Sequence, residues 1–217
     1  MNFFYLIGWS FYRCLFAGFF NRRIHNAERV PSRGPVILAC NHASFFDPPL
    51  VGSSLPRPIN YLGRKSLFSL PGVGWLLRQV NAVPVDRDGG GGAGLRVILD
   101  RLNEGGGIVL FPEGTRTRDG RLQPARSGIG LIVIKSDSPV VPIRVWGTHE
   151  ALGYQKLWPR RYPLAVKFGP LLEFRQLRAE ARTCSKARLK EIYQEVADQI
   201  MAAIGRLEPY TDKESFP

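Results

Sequence analysis

From Arg23 onward the sequence alternates short apolar runs with amphipathic stretches, and this alternation restricts the fold more than any other feature. Residues 36–39, 59–62, 82–85, 108–111, 140–145 and 164–168 are apolar runs of strand length, several bounded by proline or glycine. Residues 50–54, 95–103, 129–136 and 185–207 read as helices between and after them. The last is the clearest. Leu189, Ile192, Val196, Ile200 and Ile204 recur at spacings of three and four, which puts them on one helix face. Strands alternating with helices imply an α/β domain, with a central mixed, mainly parallel sheet flanked by helices. At 217 residues the chain suffices for one domain with a full core, or one domain plus an appendage.

Residues 2–20 break the pattern. They hold nine aromatic side chains, including Phe3, Phe4, Trp9, Phe11, Phe16 and Phe19. Arg13 interrupts them and Arg22-Arg23 follow. A spanning helix needs about 20 apolar residues, so the length is borderline. Arg13 would be costly at a bilayer centre. A secretory signal starts basic and ends in small residues; this segment starts neutral and ends in Phe19-Phe20. Aromatic richness with a basic end suits a helix lying at the headgroup boundary. The expectation is a membrane-anchoring helix over residues 1–23 and a catalytic domain over 24–217. A single spanning anchor and an ordinary core helix are the alternatives. The core helix is the weaker, because the segment has almost no polar face.

Thirty Lys and Arg against 18 Asp and Glu give a net charge of +12. A field of that sign attracts polyanions, whether nucleic acid, anionic headgroups or phosphorylated small molecules. The cations are scattered, with no RNP-like aromatic motif and no zinc-finger spacing, so no nucleic-acid partner is expected. Cys14, Cys40 and Cys184 are too widely separated for a metal-binding pair or a disulfide framework. They read as small buried or lipid-facing residues in a reducing compartment, and no metal site is expected. The glycine-rich stretches at 89–92 and 105–107 lack the Gly-Lys-Ser/Thr ending of a phosphate-binding loop.

The residues able to do chemistry follow the apolar runs. Asn41-His42-Ala43-Ser44-Phe45-Phe46-Asp47 succeeds the first run directly. In one continuous helix, His42 and Asp47 would lie about 140° apart around the axis and could not meet. They can meet if His42 is in a loop and Asp47 begins the next helix, a boundary that Pro48 favours. A carboxylate on one imidazole nitrogen fixes the tautomer and leaves the other nitrogen to take a proton. Alternatively, Asp47 is only a helix cap. Phe111-Pro112-Glu113-Gly114-Thr115-Arg116-Thr117 follows another run, where α/β folds place ligands. Arg116 can grip a phosphate through paired donors, and Glu113 and Thr115 can orient hydroxyls. The plainer reading is a charged turn with a Glu–Arg surface pair. Arg87 is a further cation at the exit of the 82–85 run. There is no Gly-x-Ser-x-Gly nucleophile motif. A base without an enzyme nucleophile implies direct activation of a substrate hydroxyl or water.

The order His42…Asp47, Arg87, Phe111-Pro112-Glu113-Gly114-Thr115-Arg116 and Val141-Pro142-Ile143 resembles the glycerolipid acyltransferase family, in particular bacterial 1-acyl-glycerol-3-phosphate acyltransferases. The resemblance covers roughly residues 24–147. It implies that His42 deprotonates the acceptor hydroxyl while Asp47 holds it. Arg87 and Arg116 would grip the acceptor phosphate, and Glu113, Gly114 and Thr115 would shape its site. Residues 140–143 would lie near the acyl or acceptor pocket. The acyl donor would be acyl-CoA or acyl carrier protein, a co-substrate, with no other cofactor. The acceptor would be a lysophospholipid, and the enzyme would work on an anionic membrane surface at the cytoplasmic face. Backbone amides near Gly114 are candidates for the oxyanion donors. Two positions depart from the family pattern. Asn81 stands where the second motif opens with glycine, and Arg126 stands where a lysine is common. A thioester or phosphoester hydrolase and a non-catalytic membrane-binding relative are the rival readings.

Overall fold

The computed structural model describes residues 2–85 and 92–208. The strands are β1 (Arg23–His25), β2 (Val36–Cys40), β3 (Ile59–Arg64), β4 (Ala82–Val85), β5 (Gly107–Leu110), β6 (Val140–Trp146) and β7 (Ala165–Phe168). The helices are α1 (Phe3–Gly18), α2 (Asp47–Ser53), α3 (Val73–Gln79), α4 (Gly92–Asn103), α5 (Gly128–Ser136), α6 (Thr148–Leu152), α7 (Arg175–Ala181) and α8 (Lys186–Gly205). One sheet has the order β1-β7-β6-β2-β5-β3-β4. The strands from β6 to β4 in that order are mutually parallel. Strand β7 runs antiparallel to β6, and β1 runs parallel to β7. The sheet is therefore mixed and mainly parallel, as the alternation of runs predicts.

Strand β2 lies between β5 and β6 and shows why the apolar runs are continuous. Val36, Leu38 and Cys40 point into one cluster, which α1, α2 and α6 cover. Ile37 and Ala39 point into the other, which α4, α5, α7 and α8 cover. A strand buried on both faces has no position left for a polar residue. In α8, Ile192, Val196, Ile200 and Ile204 are fully buried, as their spacing predicts. The Ser185 hydroxyl caps its start by accepting from the Arg188 amide.

Helix α1 has two characters. Tyr5 and Phe16 are buried, as is Phe20 just beyond it, so its inner side joins the core. Phe3, Phe4, Leu6, Ile7 and Phe11 are exposed on its outer side. No helix among the described residues is long and apolar enough to cross a membrane. The Phe16 and Phe20 rings meet Phe46 edge-on, at centroid distances of 5.5 and 5.2 Å.

Four elements lie outside the runs read from the sequence. Strand β1 has three residues, and α3, α6 and α7 have seven, five and seven. Pieces this short complete too few turns to display a period. The turn at Asn81 has φ +58°, in the left-handed region. Asparagine tolerates that region better than other side-chain-bearing residues, so it can replace glycine before β4.

Helices α5 and α8 approach closely because Gly130 has no side chain. A Cβ there would lie 1.9 Å from the Tyr193 carbonyl oxygen on α8. Gly130→Ala is expected to lower stability by about 1–3 kcal/mol, read as a reduced denaturant midpoint with an unchanged slope. An unchanged midpoint would mean that the two helices do not meet at this distance.

Candidate active site

The parallel strands deliver their carboxyl ends to one edge of the sheet, where open α/β folds hold ligands. Three segments leave from there: residues 41–47 after β2, residues 111–127 after β5 and residues 147–148 after β6. Asn41 pins the first to the third. Its side-chain amide donates to the Val145 carbonyl (3.2 Å), and its oxygen accepts from the Val145 amide (2.8 Å). A buried side chain thus extends the β2–β6 ladder by one pair and fixes where the next residue, His42, emerges. Sequence reading missed this role. The signal was a lone asparagine closing an apolar run.

Helix α2 begins at Asp47, with Pro48 in its first turn. His42 lies in the preceding loop, so the helix boundary brings the two side chains together. His42 Nδ1 is 2.8 Å from Asp47 Oδ2. The same oxygen accepts from the Ala43 amide (2.6 Å) and the Ser44 amide (2.7 Å). Asp47 is fully buried, whereas the His42 side chain is 14% exposed. With a carboxylate facing Nδ1, that nitrogen carries the hydrogen and Nε2 is left as the basic lone pair. The Phe111 ring stacks on the imidazole at 3.8 Å and 16°, which holds its plane. The Ser44 hydroxyl donates to the Leu152 carbonyl (2.6 Å) and accepts from the Phe46 amide (3.0 Å), closing the loop onto the C-terminal end of α6.

Glu113 is not a surface residue. It is 3% exposed. One carboxylate oxygen accepts from the His42 amide (2.8 Å) and the other from the Gln123 amide (3.2 Å). The Thr117 amide in turn donates to the His42 carbonyl (2.8 Å). Both backbone polar groups of His42 are thereby tied to the segment after β5. Glu113 orients the loop that carries His42, a different task from orienting a substrate hydroxyl. Burial pushes its carboxyl up to about 7; the two amides oppose that shift, and nearby Asp47 adds to it.

Gly114 has φ +71°, and a Cβ there would lie 2.8 Å from Arg126 Cδ. The stem of Arg126 therefore crosses directly over the turn, which places a second cation beside the motif. The Gly114 amide donates to the Phe111 carbonyl (3.0 Å). That amide is committed, so it is not an available oxyanion donor. The Arg116 guanidinium lies 3.6 Å over the Phe45 ring and 5.3 Å from the Tyr154 ring centroid. With the exposed Thr115 and Arg118 and the half-buried Gln123, it lines a cavity of about 340 Å³. A second cavity, of about 360 Å³, borders the other side of the loop at Asn41 and Ala43 and is lined by Arg121, Arg144 and Trp146. Residues 140–143 form the buried first half of β6, and the residues of that strand that line the second cavity are Arg144, Val145 and Trp146 at its exit. Arg87 lies outside the described residues. Cys40 is fully buried, and burial holds its thiol well above the ordinary range, which excludes it as a nucleophile.

Fold and loops together define an α/β domain that presents a carboxylate-backed imidazole at the carboxyl ends of a mainly parallel sheet. A family model described as Acyltransferase matches residues 21–146. The chain is 33% identical over 133 residues to a chloroplastic 1-acyl-sn-glycerol-3-phosphate acyltransferase, BAT2, of Brassica napus, covering 60% of this chain and 38% of that protein. It is 31% identical over 126 residues to the 1-acyl-sn-glycerol-3-phosphate acyltransferase of Bacillus subtilis, covering 58% of this chain and 62% of that protein. It therefore spans less than two thirds of either relative. The crystal structure of the 1-acyl-sn-glycerophosphate (LPA) acyltransferase PlsC from Thermotoga maritima has the same fold, with a TM-score of 0.72 at 22% identity, covering 94% of this chain and 80% of that one. The chain belongs to the acyltransferase family.

The raised carboxyl of Glu113 makes stability depend on pH. Its ordinary value is 4.5 and its folded value about 7. Its contribution is fully present below about pH 4.5 and is lost as pH rises through about 7. Wild-type stability relative to Glu113→Gln, which cannot titrate there, should therefore fall between these limits in denaturant titrations. A flat difference would mean that the carboxyl titrates normally.

Proposed function

We propose that the protein transfers a fatty acyl group from an acyl thioester, acyl-CoA or acyl carrier protein, to the free hydroxyl of 1-acyl-glycerol-3-phosphate, making phosphatidic acid. The observation that carries this reading is the 2.8 Å contact between His42 Nδ1 and the fully buried Asp47. The names of the relatives agree with it. His42 Nε2 takes the proton of the acceptor hydroxyl. The freed oxygen attacks the thioester carbonyl and gives a tetrahedral oxyanion. The intermediate collapses, the carbon–sulfur bond breaks, and the imidazolium proton goes to the departing thiolate. Asp47 stabilises the imidazolium between the two steps. No residue of the enzyme is acylated, in keeping with the buried Cys40 and the missing nucleophile motif.

Arg116 is proposed to hold the acceptor phosphate, with its guanidinium plane fixed over Phe45. Thr115 borders the same cavity, and Gly114 supplies its turn. Arg87 is proposed as a second phosphate ligand from its position after β4. The apolar outer side of α1 is proposed to lie in the headgroup region of an anionic membrane, at the cytoplasmic face where acyl thioesters are made.

His42→Ala is expected to lower acyl transfer about 100–10,000-fold, with folding and vesicle binding retained. Near-normal turnover in that variant would end the mechanism. Arg116→Ala is expected to raise the KM for lysophosphatidate about 10–100-fold, the loss of a charge-assisted hydrogen bond, with little change in kcat. An unchanged KM would place the phosphate elsewhere.

A further inference from the structure

We propose that residues 65–79 form a second membrane-contacting element, which joins the outer side of α1 in one continuous face seated on a bilayer containing anionic lipid. This rests on the lipid-acylating reading above and adds a surface that the N-terminal segment alone does not supply.

The segment consists of a 3-10 turn (Lys65–Ser69) followed by α3. It is tightly folded. A Cβ on Gly74 would lie 2.1 Å from the Phe68 carbonyl oxygen, and one on Gly63 would lie 2.7 Å from the Phe68 ring. Phe68 is the inward anchor. Against that single anchor, Leu67, Leu70, Val73, Trp75 and Leu76 are exposed, with Trp75 and Leu76 at 51% and 53%. Five large apolar side chains held outward by a rigid turn amount to a presented surface, which solvated proteins avoid unless something covers it.

The surface is continuous with α1. The Phe4 and Trp75 rings meet edge-on at 4.9 Å. The Asn2 side chain donates to the Gln79 carbonyl (3.0 Å), and a Cβ on Gly8 would lie 3.6 Å from Val80. Phe3, Leu6, Ile7 and Phe11 extend the apolar area along α1.

Charge selects the occupant. Residues 2–27 and 48–85 hold seven Lys and Arg and no Asp or Glu. Arg13, Arg64, Lys65 and Arg78 are exposed around the apolar residues. An apolar centre with a purely cationic surround matches an interface of acyl chains below and phosphates above. A second copy of the same face would set like charges against each other. The segment also leaves β3 at its carboxyl end, the sheet edge that carries His42. A bilayer on this face therefore lies beside the edge at which a lipid hydroxyl must arrive.

The test uses the full chain and vesicles with equal phosphatidylglycerol and phosphatidylcholine. Three proteins are compared: wild type, Leu70→Ser/Trp75→Ser/Leu76→Ser, and Phe3→Ser/Ile7→Ser/Phe11→Ser. The expected result for the first triple variant is at least about a ten-fold loss of vesicle partitioning, with transfer to a water-soluble short-chain lysophosphatidate retained. Wild-type partitioning in that variant, together with a loss in the α1 variant, would overturn the second element and leave the α1 reading intact. Wild-type partitioning in both would overturn both. Concentration-dependent dimerisation of wild type that the triple variant loses would assign the face to a second copy and overturn the proposal. Should the triple variant fail to fold, Trp75→Phe serves instead. Brominated lipid should quench wild-type tryptophan fluorescence more strongly than that of Trp75→Phe, and equal quenching would overturn the proposal.

Discussion

One oxygen atom organises the reactive end of the sheet. Asp47 Oδ2 receives the His42 imidazole and the amides of Ala43 and Ser44. A buried carboxylate is costly unless donors surround it; three donors on Oδ2 offset much of that cost, while Oδ1 is buried with no hydrogen-bond partner among the described residues. They also bend the chain between β2 and α2 back on itself. The carboxylate that orients the proposed base is therefore the same one that folds the loop. Catalytic geometry and local stability cannot be separated at this residue.

The loop is held from two further directions. Asn41 fastens it to β6, and Glu113 fastens its backbone to the segment after β5. These side chains act like extra rungs where the ladder hydrogen bonds end. A rigid frame of this kind suits the proposed base, which would meet the proposed lipid hydroxyl and thioester carbonyl in one orientation. The Phe111 ring completes it by holding the imidazole plane.

Much of this was legible in the sequence. The apolar runs at 36–39, 108–111 and 140–145 became central parallel strands because burial on both faces leaves a continuous apolar signal. The junction between His42 and Asp47 was legible because a five-residue spacing forbids one helix face and Pro48 marks a helix start. Other features were not. The roles of Asn41 and Glu113 depend on partners 104 and 71 residues away. No local pattern reports such a pairing. Glu113 was read as facing a substrate because a glutamate in a turn is usually solvated; its burial comes from the neighbouring strand ends. The short α3 was invisible because Pro71-Gly72 interrupts the apolar pattern before a turn is complete. Yet its residues make up part of the exposed apolar face.

The edge-on contacts of Phe16 and Phe20 with Phe46 also bear on how the N-terminal helix can be treated. Phe46 immediately precedes Asp47. Removing residues 2–20 to make the protein easier to handle would take both Phe16 and Phe20 from Phe46 and open a cavity behind the carboxylate. A trimmed chain with weak activity would then report a slackened His42–Asp47 pair, and not simply the loss of the proposed membrane contact. Phe16 and Phe20 are therefore part of the wall behind the loop that carries His42 and Asp47.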